Sequence, residues 1–96
     1  MAEFHLSKKA RQDLDEIADY TYETFGERQA DKYGEELLNA LTLLSERPRM
    51  GKSTNGLTSN LRSFPFQAHI IYYGVAEEGI YVVRILHSAQ DPARHL

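Results

Sequence analysis

Residues 69–87 read HIIYYGVAEEGIYVVRILH, two runs of β-branched and aromatic side chains separated by Glu77, Glu78 and Gly79. Such side chains fit a pleated, half-buried surface, and a short polar turn ending in glycine lets a chain reverse between two strands. The pattern predicts strands over 69–75 and 80–87 joined as a hairpin. Two-way alternation is imperfect at Ile70-Ile71 and Val82-Val83, which suits a sheet with one face under a cover and the other partly covered or used. Upstream, residues 61–64 predict a further strand. Residues 50–60 are rich in Gly, Ser, Thr and Asn and lack a period, so they read as a loop of about ten residues, long enough to be functional or mobile.

The cover comes from the first half of the chain. Glu3–Leu6 alternates polar and apolar residues as a short strand does, and Ser7 offers a side-chain oxygen to cap a following helix. Ala10, Leu14, Ile17, Ala18, Thr21 and Phe25 then recur at spacings of three and four, leaving Asp13, Glu16, Asp19 and Glu23 largely off that stripe. Gly26 ends this helix, because glycine takes positive φ at little cost. A second stripe of Ala30, Tyr33, Leu37, Ala40, Leu41 and Leu44 stops at Arg47, which the following Pro48 pushes out of the helical region. The expectation is an α+β fold of order β-α-α-β-β-β. An N-terminal strand and an antiparallel helix hairpin pack on a mainly antiparallel sheet, as one domain over residues 1–96.

Bulk properties narrow the function classes. No apolar run approaches the ~20 residues of a membrane helix. The start MAEFHL lacks a basic segment followed by an apolar one, which points away from export and towards the cytoplasm. With no cysteine, disulfides, thiolate nucleophiles and the usual zinc sites are all excluded. Charge is split. Five Lys/Arg stand against eleven acids up to Glu46, a net of -6, and six against three from Arg47 onward, a net of +3. A basic half suits an acidic partner or phosphate; the plainer reading is a set of solvated charges.

The residues able to carry chemistry are few. Metal-independent RNA cleavage needs a base, an acid and fixed cations, for which the candidates are Glu46, Lys52, Arg62, Arg84 and His87. Arg84 and His87 stand three apart on one strand, so without a bulge they project from opposite faces, which weighs against a shared active site. His87 is open to three readings: a strand-end ring bonded within the fold, a partner contact, or a proton shuttle. Asp91 and His95 have the i, i+4 spacing of paired metal ligands, but His5 and His69 complete no set of three, so no metal and no cofactor is expected. Tyr20, Tyr22, Phe25 and Tyr33 read as core or core-edge packing, and Phe64, Phe66, Tyr72, Tyr73 and Tyr81 as sheet packing rather than base-stacking platforms. There is no G-x-S-x-G setting around any serine and no glycine-rich phosphate loop.

Taken in order, FHLSKKARQDLDEIADYTYETFG, LSERPRMG, LRSFPFQAHIIYYGV and VVRILHSAQDPARHL resemble the ParE toxins of bacterial toxin–antitoxin modules, within the RelE/ParE superfamily. The resemblance covers nearly the whole chain, and its most telling pieces are Asp13-Leu14 with Ile17 and Tyr20, Pro48 and Gly51, Leu61-Arg62, and Arg84 to His87 followed by Asp91. It implies a helical hairpin on an antiparallel sheet. It also implies a toxin that inhibits DNA gyrase by binding and blocks replication, held in check by a cognate antitoxin with a disordered, acidic tail. The RelE branch instead cuts mRNA on the ribosome. Here Ser88 stands where that branch often has a tyrosine, and Lys52 stands alone where it has a lysine cluster. The departure favours binding over catalysis, with no sequence-specific nucleic-acid contact. For charge and position in the C-terminal half, Arg62, Arg84, His87 and Arg94 are the expected target contacts. Rival readings are a RelE-like endoribonuclease using His87 or Glu46 as base, and a relic that binds only its antitoxin.

Overall fold

In a computed structural model describing residues 2–54 and 60–96, the chain runs β1 (Glu3–Leu6), α1 (Lys8–Phe25), α2 (Glu27–Glu46), a 3-10 turn (Pro48–Met50), β2 (Lys52–Ser53), β3 (Leu61–Phe66), β4 (His69–Ala76), β5 (Gly79–His87) and α3 (Pro92–His95). The sheet order is β1-β5-β4-β3-β2. β1 lies parallel to β5, and the other neighbours are antiparallel. This is the α+β architecture the sequence predicts, with two additions. Lys52–Ser53 forms a short edge strand inside the expected loop, and Pro92–His95 forms a terminal turn of helix. The rest of that loop, 55–59, lies outside the described residues.

Local chemistry sets the helix ends. Ser7 Oγ accepts the Ala10 N–H (2.9 Å) and donates to the Val83 carbonyl (2.7 Å), so one hydroxyl caps α1 and pins it to β5. Gly26, at φ 92°, closes α1 and opens α2 in a region of backbone space open chiefly to glycine. Arg47 leaves the helical region (φ -132°, ψ 69°) ahead of Pro48.

The helices cover β1 and β5. Leu37, Leu41 and Leu44 of α2 and Ala10 of α1 are fully buried against Ile71, Tyr73, Ile80, Val82 and Ile85. Each such leucine contributes about 1.5–3 kcal/mol relative to exposure. Tyr72 and Leu86 are also buried, outside that cluster.

Three expectations fail. Asp13 is buried, 6% exposed, rather than lying off the stripe. Tyr20, Tyr22 and Phe25 are 58–64% exposed, Tyr20 and Phe25 bordering an open cavity between α1 and the sheet. Tyr81 is also largely exposed on β5.

A polar anchor holds the segment that follows α2. Tyr73 Oη donates to the Pro48 carbonyl (2.7 Å) and accepts the Gly51 N–H (2.9 Å), while Arg62 Nη1 donates to the Gly51 carbonyl (2.6 Å). Any side chain at Gly51 would run into the Tyr73 hydroxyl, so glycine is needed there for space. Burial pushes the Tyr73 phenol above its usual pKa, against the lowering effect of the Gly51 N–H and Arg62.

Candidate functional site

β1 pairs with β5 only as far as Val82, so from Val83 to His87 no strand among the described residues lies along that edge of β5. Side chains take over there. Asp13 Oδ2 accepts the Ile85 N–H (2.9 Å), and Gln90 Oε1 accepts the His87 N–H (2.8 Å). The Asp13 carboxylate also takes both Arg84 Nε (2.8 Å, on Oδ2) and Nη2 (2.9 Å, on Oδ1), a bidentate pair with side chains only 7% and 15% exposed. Arg84 Nη1 donates onward to the His95 carbonyl (3.2 Å), tying α1, β5 and the C-terminal turn together. The hydrogen bonds to Asp13 raise the Arg84 pKa above its ordinary value against the lowering effect of burial, so the guanidinium stays charged.

The pairing of β4 with β5 shifts register between Tyr72 and Tyr73, where Tyr72 faces Arg84 and Tyr73 faces Val82. That bulge at Val83 precedes Arg84 rather than separating it from His87. Arg84 and His87 nevertheless line one cavity, contrary to the expectation from alternation, because the long Arg84 side chain turns to the open edge of β5 and meets Asp13.

This cavity, about 530 Å³, opens between the helix hairpin and the far end of the β4–β5 ladder. Its α1 and α2 walls carry Ile17, Tyr20, Phe25 and Tyr33, and its sheet wall carries His69, Ile85 and His87. Tyr33 stacks on Phe66 (5.3 Å between ring centroids), and its hydroxyl lies 2.6 Å from His69 Nδ1. His69 and His87 are cross-strand partners whose rings meet edge to face at 5.5 Å. Burial lowers the His69 pKa, the His87 ring lowers it further, and Asp13 opposes both. Burial raises that of Tyr33.

The four expected contact residues therefore do not form one cluster. Arg84 and His87 share the cavity, Arg94 lies exposed on α3, and Arg62 sits two strands away from β5, bound to the Gly51 carbonyl. Asp91 does not pair with His95 but caps α3, its Oδ1 accepting the Ala93 N–H at 3.0 Å. The sequence reading missed Asp13, Tyr33 and His69. For Asp13 a signal was present, since positions 10, 13, 17 and 21 share the spacing of the buried stripe.

A family model described as "ParE toxin of type II toxin-antitoxin system, parDE" matches residues 4–92. The chain is 37% identical over 92 residues to a Toxin ParE1 of Mycobacterium tuberculosis, covering 95% of this chain and 94% of that protein. It is 30% identical over 96 residues to a Toxin ParE1 of Caulobacter vibrioides, covering 100% and 99%. Among solved structures, a chain from a chromosomal ParDE system of P. aeruginosa superposes with a TM-score of 0.76 at 20% identity, over 91% of this chain and 96% of that one. The hypothetical protein HP0894 of Helicobacter pylori gives 0.57 at 13% identity, over 94% and 98%. These two likenesses concern the fold.

Proposed function

The chain belongs to the ParE toxin family of type II toxin–antitoxin systems, and from that membership we propose that it inhibits DNA gyrase by binding, without bond chemistry of its own. The observation that supports this reading is the dispersal of the parts a nuclease would need. Glu46 lies beside the Glu77–Gly79 turn, whereas His87 is at the other end of β5. Eight residue steps at ~3.3 Å separate the two ends by roughly 26 Å. A base and an acid must both reach one phosphodiester within hydrogen-bond distance, so these two cannot share a substrate. The guanidinium of Arg84 is committed to Asp13, and that of Arg62 to a backbone carbonyl.

On this reading the toxin is a rigid wedge. It binds the gyrase–DNA assembly in its cleaved state and shifts the population towards it. His87 and Arg94, both exposed, supply contacts, while Arg62 and Arg84 hold the surface in shape. Its place of action is the cytoplasm, where gyrase works, and no helix among the described residues is long and apolar enough to cross a membrane. A cognate antitoxin neutralises it through an acidic tail that folds on binding, with apolar anchors seated between hairpin and sheet.

Purified gyrase with relaxed plasmid, run beside a ribosome-dependent mRNA cleavage assay, separates the alternatives. Loss of supercoiling with accumulated cleaved DNA and intact mRNA is expected. Cut mRNA with normal supercoiling would reverse the assignment, and absence of growth arrest on induction without antitoxin would leave only an antitoxin-binding relic.

A further inference from the structure

The imidazoles of His69 and His87 are set by their neighbours into one tautomer. The Ala89 backbone N–H donates to His87 Nδ1 at 3.1 Å; a backbone N–H can only donate, so Nδ1 is bare and the neutral ring carries its proton on Nε2. The 2.6 Å contact between Tyr33 Oη and His69 Nδ1 is shorter than N–H···O bonds run and falls in the range of hydroxyl donors. On that length the Tyr33 hydroxyl is the donor and His69 Nδ1 the acceptor. His69, too, then carries its proton on Nε2. Ligating histidines do the opposite, donating one N–H outward so that the other nitrogen is free to bind metal. Two neighbouring rings, edge to face at 5.5 Å on one cavity wall and each with a protonated Nε2, favour an acceptor over a cation.

The rest of the cavity narrows the ligand. On the α1 side, Asp13 is neutralised by Arg84, and Glu16 acts on the same guanidinium, so an incoming anion is disfavoured there and favoured at the histidine wall. Further along the α1 wall lies the apolar surface of Ile17, Tyr20 and Phe25, the last two more than 60% exposed. We infer that His69 and His87 form a donor pair that receives a carboxylate of the antitoxin tail, while an apolar side chain beside that acid fills the cavity against Tyr20 and Phe25. The inference rests on the antitoxin reading above and adds the residues that read the acid.

Two measurements test it, neither involving gyrase. In free toxin with 15N-labelled histidine, both rings should be protonated at Nε2, and phenylacetate should shift both ring signals where phenylacetamide does not. A ring protonated at Nδ1 overturns the inference, as does a response to inorganic phosphate without one to phenylacetate. The second measurement is calorimetry with the full-length cognate antitoxin, changing each tail acid in turn to its amide. The toxin variants are His69→Asn, which keeps an acceptor near Tyr33 but loses the reach of Nε2, and His87→Ala. At one acid the amide should weaken binding to wild type about tenfold or more, and should cost little further in the variants. His87→Gln, which restores a donor near Nε2, should recover part of the loss. Equal amide losses in wild type and variants at every acid overturn the inference while leaving the antitoxin reading standing; no antitoxin binding to wild type overturns the antitoxin reading with it.

Discussion

Replacing Asp13 by alanine removes three hydrogen-bond acceptances at once, from Arg84 Nε, Arg84 Nη2 and the Ile85 N–H. The pair is largely out of solvent, with side chains 7% and 15% exposed, so the orphaned guanidinium and the bare strand N–H both lose their partner without full hydration in return. Breaking a buried pair from one side costs about 3–5 kcal/mol. Arg84 retains its bond to the His95 carbonyl, which favours the lower end, about 3 kcal/mol. Against a total of roughly 5–15 kcal/mol for a domain of this size, that is a large fraction. At ~4–8 °C per kcal/mol the melting temperature should fall by about 12–24 °C. The assay is urea unfolding followed by circular dichroism for wild type, Asp13→Ala, Asp13→Asn, Arg84→Met and the double variant Asp13→Asn with Arg84→Met. The double variant removes both charges and leaves an amide oxygen for Ile85, so it should recover most of the loss. A cost below ~1 kcal/mol for Asp13→Ala, the level of exposed pairs, or additive losses in the cycle, would refute the reasoning.

Further expectations concern other sites. Tyr73→Phe strands the Gly51 N–H and the Pro48 carbonyl and should cost about 1–3 kcal/mol by denaturant midpoint. Gly51→Ala should cost a similar ~1–3 kcal/mol, because the added methyl meets the Tyr73 hydroxyl and a backbone carbonyl; an unchanged midpoint would contradict the packing described. His69 has a folded pKa below its ordinary 6.5, with His87 and Asp13 facing it, so the unfolded chain binds its proton first as pH falls. Stability should therefore drop on acidification through about 6.5 and below. In His69→Asn this part of the slope should vanish, as read from urea midpoints at several pH values. Tyr20→Ser with Phe25→Ser should change stability by no more than about 0.5 kcal/mol, both being exposed, yet weaken antitoxin binding in calorimetry.

The elements themselves were legible. Ser7, Gly26 and the Arg47-Pro48 step act locally, and the sequence window that contains them also contains their physical cause. The stripe on α2 was legible for the same reason: Tyr33, Leu37, Leu41 and Leu44 are buried as their spacing requires. What failed depended on where another element stops. Asp13 holds a position on the buried stripe, but only the short β1, which leaves the Ile85 N–H uncovered, makes a carboxylate useful there. Phe25 has the right spacing and is exposed because it borders the open cavity between the hairpin and the sheet. Of the candidate site, Arg84 and His87 were identified from charge and position. The side chains that fix their roles, Asp13 and the Tyr33–His69 pair, come from elsewhere in the chain, and no local period encodes a contact between residues 71 apart.

A strand margin that keeps its amides open is a template for other chains. Along the second half of β5 that template is blunted by the protein's own side chains: Ser7 holds the Val83 carbonyl, Asp13 the Ile85 N–H and Gln90 the His87 N–H. A polypeptide laid along this flank must first evict the Asp13 carboxylate and in doing so sets loose the Arg84 guanidinium. Strand addition here and the liberation of a buried cation are thus one event, and the same carboxylate that keeps stray chains off also keeps that charge in reserve.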